Sequence, residues 1–298
     1  VVPRQRPPTL LATLPADGDR EPALVALAWH PRGDSFAFAG DDGRVHLVHT
    51  TDQPVRTDIL RGPAGDVALA FDPAGDRLIV AGADRTLRVW RLESPPVLSD
   101  TLAGHTDLVR AVAVAGPHIV SAGDDTTVRI WSAEAAPQVL HGHRGAISTI
   151  DVHPDDATLL TASADGTARV WPRTADSEVL AGHTDAVWLA AWSPDGAAIL
   201  TASADGTARL WSRRHDEWRA ILLPQHGAPG SADTTLWTGG FSPDGRLVVV
   251  AGADALARVF PVSLADQLAA ACTRAAADLT PDQWTRSMGD RPRRPTCP

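Results

Sequence analysis

Apolar and polar residues alternate along most of this chain in short runs, each ended by a tight turn. Between Glu178 and Trp211 the runs read EVL, AVWLAAW, AILTAS and TARLW, separated by Gly182-His183, Ser193-Pro194-Asp195-Gly196 and Asp205-Gly206. Period-two alternation broken at Gly, Pro and Asp predicts four short antiparallel strands, and no stretch of this region carries a helical period. The run LTASADGTAR at Leu160–Arg169 returns unchanged at Leu200–Arg209, 40 positions on, and a tryptophan follows each copy two positions later, Trp171 and Trp211. An identical segment at that period means one four-stranded unit stacked repeatedly, so the chain is expected to be all-β.

The repeat can be followed in both directions from its turn aspartate to the aromatic six positions later. Asp84 leads to Trp90, Asp125 to Trp131, Asp165 to Trp171 and Asp205 to Trp211, while at the flanks Asp42 leads to Val48 and Asp254 to Phe260. Gly-His precedes three of these turns, at Gly104-His105, Gly142-His143 and Gly182-His183. Gly-His, a Ser or Thr four residues before the turn Asp, and Trp six after it resemble the WD-repeat β-propeller over about residues 9–260. The resemblance implies a six-bladed ring of four-stranded antiparallel blades; a seven-bladed ring, or one of two tandem rings, is the alternative. It also implies a hydrogen-bonded chain inside each complete blade. The matching sets are His105, Ser121, Asp125, Trp131; His143, Thr161, Asp165, Trp171; and His183, Thr201, Asp205, Trp211. Buried and fully satisfied, such a network fixes one packing of the strands. Blades one, two and six carry Phe38, Val80 and Val250 at the Ser/Thr position and are expected to rely on apolar packing alone. Arg88, Arg129, Arg169, Arg209 and Arg258, each four after the turn Asp, are expected to stack or pair between blades.

Outside the repeat the pattern changes. Residues 1–8 read as a linker remnant, and Thr9–Leu14 as an outer strand that in this family would complete the last blade beside Arg258-Val259-Phe260. Residues 261–298 are expected to form a helical tail packed on the propeller: Leu264, Leu268 and Cys272 share a helical face, and Thr280-Pro281-Asp282-Gln283 supplies a helix start. The tail resembles that found after WD repeats in bacterial multidomain signalling proteins, STAND-type NTPases and repeat-bearing Ser/Thr kinases, which implies an effector upstream of Val1. Cys272 and Cys297 leave two readings open, a disulfide or two reduced thiols in a cytosolic chain.

Composition narrows the chemistry. The chain has no Lys, Asn or Tyr, which suggests a GC-rich bacterial source and excludes a Walker-type phosphate loop and a protein kinase, both of which need their Lys. A net charge of −9 argues against nucleic acid, the notable basic cluster being Arg291, Arg293 and Arg294 among prolines. No apolar run is long enough to span a membrane, and a cytoplasmic chain is expected. No cofactor and no metal are expected: His141 and His143 share a strand face, but no carboxylate or Cys completes a ligand set in sequence, and His143 already belongs to a blade network. Three His/Asp/hydroxyl sets at the repeat period imply architecture, not a catalytic triad.

Function is therefore sought where the repeat departs from itself. Residues flanking the inner-strand anchors Val67, Val109, Ile147, Val187 and Leu236 should surround the mouth of the channel. Among them Trp188 and Trp237 stand out against Ala and Ser, with Arg110, Asp66 and Leu108 further round. Trp and Arg dominate interface hot spots, so these residues are the candidate partner site; the structural alternative is that the tryptophans pack inward. Between Trp211 and Phe260 the repeat is lengthened by Pro224–Asp233, just before Trp237, and His226 lies in this insertion. Insertions in a repeat map to one face, often the binding face. The expected function is a non-enzymatic protein or peptide recognition module of a larger bacterial signalling or defence protein. A propeller enzyme binding a metal or small molecule in its channel, and an oligomerisation scaffold, are the competing classes.

Overall fold

The second strand of each repeat explains the architecture. Ala198–Ser203 is buried at every position, and so is every residue from Leu78 to Gly82. A strand with one wet face would alternate; these are buried throughout because a neighbouring sheet covers each face. A computed structural model describes residues 23–52, 55–155, 157–173, 176–215, 217–223 and 233–263.

Six antiparallel sheets are found among these residues, and no helix. The first holds Leu24–Trp29 (β1), Ser35–Gly40 (β2), Arg44–His49 (β3) and Arg56–Arg61 (β4). The second holds Val67–Phe71 (β5), Arg77–Gly82 (β6), Thr86–Arg91 (β7) and Val97–Ala103 (β8), and the third Val109–Ala115 (β9), His118–Gly123 (β10), Val128–Ser132 (β11) and Ala135–Leu140 (β12). The fourth comprises Ile147–Val152 (β13), Leu159–Ser163 (β14), Ala168–Trp171 (β15) and Glu178–Leu180 (β16), and the fifth Val187–Trp192 (β17), Ala198–Ser203 (β18), Ala208–Arg214 (β19) and Glu217–Leu223 (β20). The sixth has Leu236–Phe241 (β21), Leu247–Gly252 (β22) and Ala257–Pro261 (β23). Strands pair in sequence order within every sheet. The sixth sheet thus has three strands among the described residues; Thr9–Leu14, the expected fourth, lies outside them, as do the helical tail, Cys272, Cys297 and His226.

The chain divides into two compact units, Val1–Ile150 and Asp151–Pro298, and the boundary falls inside β13. In the first unit Ala37, Ala39, Val45 and Leu47 meet Leu78 and Val80, while Ile79, Ala81, Leu87 and Val89, turned the other way, meet Val109, Val114, Ile119 and Trp131. In the second, Leu160, Ala162 and Val170 meet Ile199, Trp192 and Trp211, while Leu200, Ala202 and Leu210 meet Leu236, Val248 and Phe260. The side-chain period of two thus sends alternate residues of one strand into two different cores, which ties the second sheet to the first and third, and the fifth to the fourth and sixth.

Turns set the register. At Ser193-Pro194-Asp195-Gly196 the Gly196 N–H donates to the Ser193 carbonyl at 2.8 Å with Gly196 at φ +72°, and the Ser193 hydroxyl donates to Asp195 at 2.6 Å while accepting the Ala198 N–H at 2.9 Å. Ser242-Pro243-Asp244-Gly245 repeats the arrangement. A glycine at left-handed φ closes the turn without a Cβ clash, and the serine satisfies both its own hydroxyl and a backbone donor.

Candidate functional site

The histidines come first, because His, Asp and a hydroxyl on one line is also the geometry of acyl-transfer catalysis. In the third sheet His105 Nδ1 lies 2.7 Å from Asp125 Oδ2 and Nε2 lies 2.7 Å from Ser121 Oγ, which also accepts the Trp131 Nε1–H at 2.8 Å. In the fifth, His183 Nδ1 is 2.9 Å from Asp205 Oδ2, Nε2 is 2.8 Å from Thr201 Oγ1, and Trp211 donates to the same hydroxyl at 2.9 Å. An ionised aspartate only accepts, so Nδ1 carries the proton and the hydroxyl donates to Nε2. Each hydroxyl is then satisfied on both sides, and Ser121 and Thr201 are 0% exposed. No substrate reaches such an oxygen. In the fourth sheet Trp171 donates to Thr161 at 2.9 Å, Asp165 accepts from Thr167, and His143 is buried.

Burial holds both His105 and His183 below the ordinary histidine range, against the pull of their aspartates, so they stand neutral at pH 7. Burial raises the Asp205 carboxyl, but the Thr207 hydroxyl, the Thr184 N–H and His183 outweigh it and bring the group down to about 2. Asp125 is lowered in the same manner, with burial outweighed by Thr106, Thr127 and His105.

One expectation is refined and one corrected here. The arginines divide: Arg88, Arg169 and Arg258 have partners in their own sheets, whereas Arg129 and Arg209 reach the glycines that follow the last strands of the second and fourth sheets. Arg88 binds Asp84 at 2.7 Å, Arg258 binds Asp254, Arg209 donates to the Gly182 carbonyl at 2.8 Å, and Arg169 sits over Trp171 at 5.8 Å. The sheets without the histidine set do not rely on apolar packing alone. Where His is missing, as in the second and sixth sheets, the arginine takes the turn aspartate instead, and in the first sheet Phe38 stacks on His46 at 4.6 Å with the rings 2° from parallel. Where His holds the aspartate, the arginine swings over the glycine before that histidine. A Cβ on Gly104 would lie 2.9 Å from Arg129 Nη1 and one on Gly182 2.6 Å from Arg209 Nη1, so the glycine of Gly-His is the space the guanidinium occupies.

The residues singled out from sequence are set by bulges. Register slips between Val109 and Ala111, between Val187 and Leu189 and between Leu236 and Thr238 leave Arg110, Trp188 and Trp237 unpaired on the first strand of their sheets. A bulge at an edge strand re-aims one side chain, and here the anchor before it stays buried while the bulged residue turns out. Val109 and Val187 are 0% exposed and Leu236 2%, whereas Trp188 is 39% and Trp237 58% exposed. The backbone is clamped beside each bulge: Asp124 N–H donates to Leu108 at 2.9 Å, Ala204 to Ala186 at 2.8 Å and Ala253 to Thr235 at 2.8 Å. Glycine permits this approach in two cases, since a Cβ on Gly123 or Gly252 would stand 2.0 Å from the Leu108 or Thr235 carbonyl oxygen.

Of the residues singled out from sequence, Trp188 and Trp237 lie in the second unit on sheets that pack together. Asp66, Leu108 and Arg110 lie in the first unit. Arg110 grips both oxygens of Asp124 through one edge of its guanidinium, Nε to Oδ1 and Nη2 to Oδ2 at 2.8 Å, and its Nη1 stands 3.6 Å from Asp66; Leu108 is half-buried. The hydrogen bonds to Asp124 raise the Arg110 pKa further. Sequence reasoning missed Val25, which occupies the same bulge position in β1 and is 37% exposed; the signal was Gly40 opposite Leu24. Among the described residues no three His, Cys, Asp or Glu side chains are placed to hold a metal ion, and no helix is long and apolar enough to cross a membrane.

No match to this chain is found among curated proteins. The WD domain, G-beta repeat model, in contrast, matches residues 53–91, 97–132, 136–172 and 176–212, which together make up half of the sequence. Those four matches run through the second to fifth sheets, where the turn aspartates and the tryptophans six residues on recur, and on this ground the chain belongs to the WD40 repeat family.

Proposed function

We propose that this chain is a non-catalytic recognition module for a protein or peptide, with Trp188 and Trp237 as its anchors. The observation that carries the reading is that two large indoles on packed sheets are turned to solvent by bulges whose flanking backbone is hydrogen-bonded in place. Burying a preformed, rigid tryptophan gives binding at small entropic cost, which is why such residues dominate interface energetics. WD40 membership supports a protein-interaction role. The non-catalytic part of the reading is supported by the histidine-bonded hydroxyls of Ser121 and Thr201, spent on the fold. The module is assigned to the cytoplasm of a bacterium, as the sensor of a larger signalling or defence protein whose effector lies upstream, with a six-bladed ring as its architecture.

The test is capture from lysate by the parent chain and by a Trp188→Ala, Trp237→Ala variant with unchanged thermal melting. Loss of a captured protein in the folded variant is expected, by at least tenfold, since each anchor contributes on the order of 1–2 kcal/mol or more. Unchanged capture would remove these residues from the site.

A further inference from the structure

The two indoles say where a partner binds; the loops around them say what kind of partner. Asp185 and Asp233 stand exposed on the loops leading into β17 and β21. Loops 182–186 and 233–235, with turns 204–207 and 253–256, contain no arginine or lysine; of their four aspartates Asp185 and Asp233 face solvent, while Asp205 and Asp254 are buried against His183 and Arg258. The arginines that reach this end are engaged, Arg209 with the Gly182 carbonyl and Arg258 with Asp254. These loops form one surface: a Cβ on Gly206 would fall 2.4 Å from Thr234 Oγ1, so the turn of the fifth sheet touches the loop entering the sixth. Two exposed aspartates beside two exposed indoles, with no free arginine or lysine on the same loops, suit a cationic segment with a firm apolar face.

Spacing narrows the choice. Sheets stacked face to face lie about 10 Å apart. A polyproline II helix repeats its face every three residues, roughly 9 Å, and loses little entropy on binding. Prolines at i and i+3 would therefore meet indoles carried by adjacent sheets, with arginines between them reaching the aspartates.

One segment of this chain has that pattern. Arg291-Pro292-Arg293-Arg294-Pro295-Thr296-Cys297-Pro298 places prolines at every third position and three arginines among them. It follows β23 in sequence. The residues between Pro261 and Arg291 would cover roughly 90 Å if extended and about 45 Å if wholly helical, sufficient to return to the rim.

We propose that the rim around Trp188 and Trp237 is a docking surface for a basic polyproline-type segment, and that the chain's own Arg291–Pro298 occupies it. The proposal rests on the reading of these tryptophans as the recognition surface. A tethered segment competes at a high effective concentration, so an outside ligand of the same chemistry must displace it.

The probe is a synthetic peptide of the Arg291–Pro298 sequence with Cys297→Ser. It is titrated into the full chain and into a full-length Arg291→Ala, Arg293→Ala, Arg294→Ala variant, following the indole N–H resonances of Trp188 and Trp237. In the variant both resonances should shift saturably, and more weakly at high salt. The parent should require at least about tenfold more peptide. Without peptide, the parent and variant resonances should differ to the same degree at every protein concentration. The proposal is overturned if the peptide moves neither indole in the variant, if both chains titrate alike, or if the difference grows with protein concentration, which would assign the contact to a neighbouring molecule. Should the peptide fail while the Trp188→Ala, Trp237→Ala chain still loses its captured partner, the recognition surface stands and its occupancy by the tail falls; failure of both readouts removes the surface itself.

Discussion

Thr201 illustrates how completely the buried polar residues are committed. Its hydroxyl gives its one proton to His183 and takes one from Trp211, and none of its surface is exposed. Replacing it with isosteric valine leaves an imidazole nitrogen and an indole N–H buried without partners, so Thr201→Val should cost about 2 kcal/mol in urea unfolding, mostly as the desolvation penalty of the stranded groups. Thr201→Ser keeps the hydroxyl, and Ser121 already serves in this role in the third sheet, so its cost should stay near 1 kcal/mol, the loss of a methyl group. A Thr201→Val cost near zero, below that of Thr201→Ser, would show that the methyl, not the network, matters. The side-chain members of these sets were legible in sequence because each sits at a fixed offset from the turn aspartate. The Thr106 and Thr184 N–H groups that bind the same aspartates were not, since a backbone donor has no residue type to announce it.

The turn after the second strand shows what an element tolerates. Gly43, Gly166 and Gly206 hold its left-handed position at φ +81°, +81° and +78°, but Arg85, Thr126 and Ala255 hold it elsewhere at +66°, +64° and +59°. A Cβ in this region costs roughly 1 kcal/mol or more, and β-branched threonine suffers most. Thr126→Gly should therefore stabilise the chain by about 0.5–1 kcal/mol, net of the entropy glycine adds to the unfolded state, and Gly166→Ala should destabilise it by about 1 kcal/mol. Both are read from urea midpoints; a destabilising Thr126→Gly would mean that its side chain contributes more than its backbone loses. Strands and turns could be read in advance because alternation and Asp-Gly are local signals. The bulges that present Trp188 and Trp237 could not: a register slip is a property of two strands, and its one trace in sequence is the small residue opposite, Ser203 or Gly252. For the same reason sequence reasoning did not foresee where each arginine would reach: Arg129 and Arg209 lie over Gly104 and Gly182, on the loops that enter their sheets from the preceding one.

Across the whole chain, protonation couples these local networks to stability. His105 and His183 are held neutral in the folded state by burial, which outweighs their aspartates, while in the unfolded chain they take up protons near pH 6.5. Below that value the unfolded state binds more protons, so stability declines as pH falls from about 7 through the ordinary histidine range. Asp84, Asp125 and Asp205 are also lowered when folded, Asp205 to about 2, so the stability they contribute is present above the unfolded value of about 3.8 and is lost as pH falls through their folded values. Asp151 runs the other way. Burial, only partly offset by the Trp192 and Val152 N–H groups, raises its carboxyl, and it regains some stability as pH falls through that raised value. One group of that sign does not reverse two histidines acting at higher pH. The urea midpoint should therefore drop between pH 7.5 and pH 5, before any carboxylate titrates in the unfolded chain, and drop again below pH 4. A flat midpoint from pH 7.5 to 5 would mean that both imidazoles accept a second proton in place, with Ser121 and Thr201 rotating to present a lone pair, and that burial does not govern their charge.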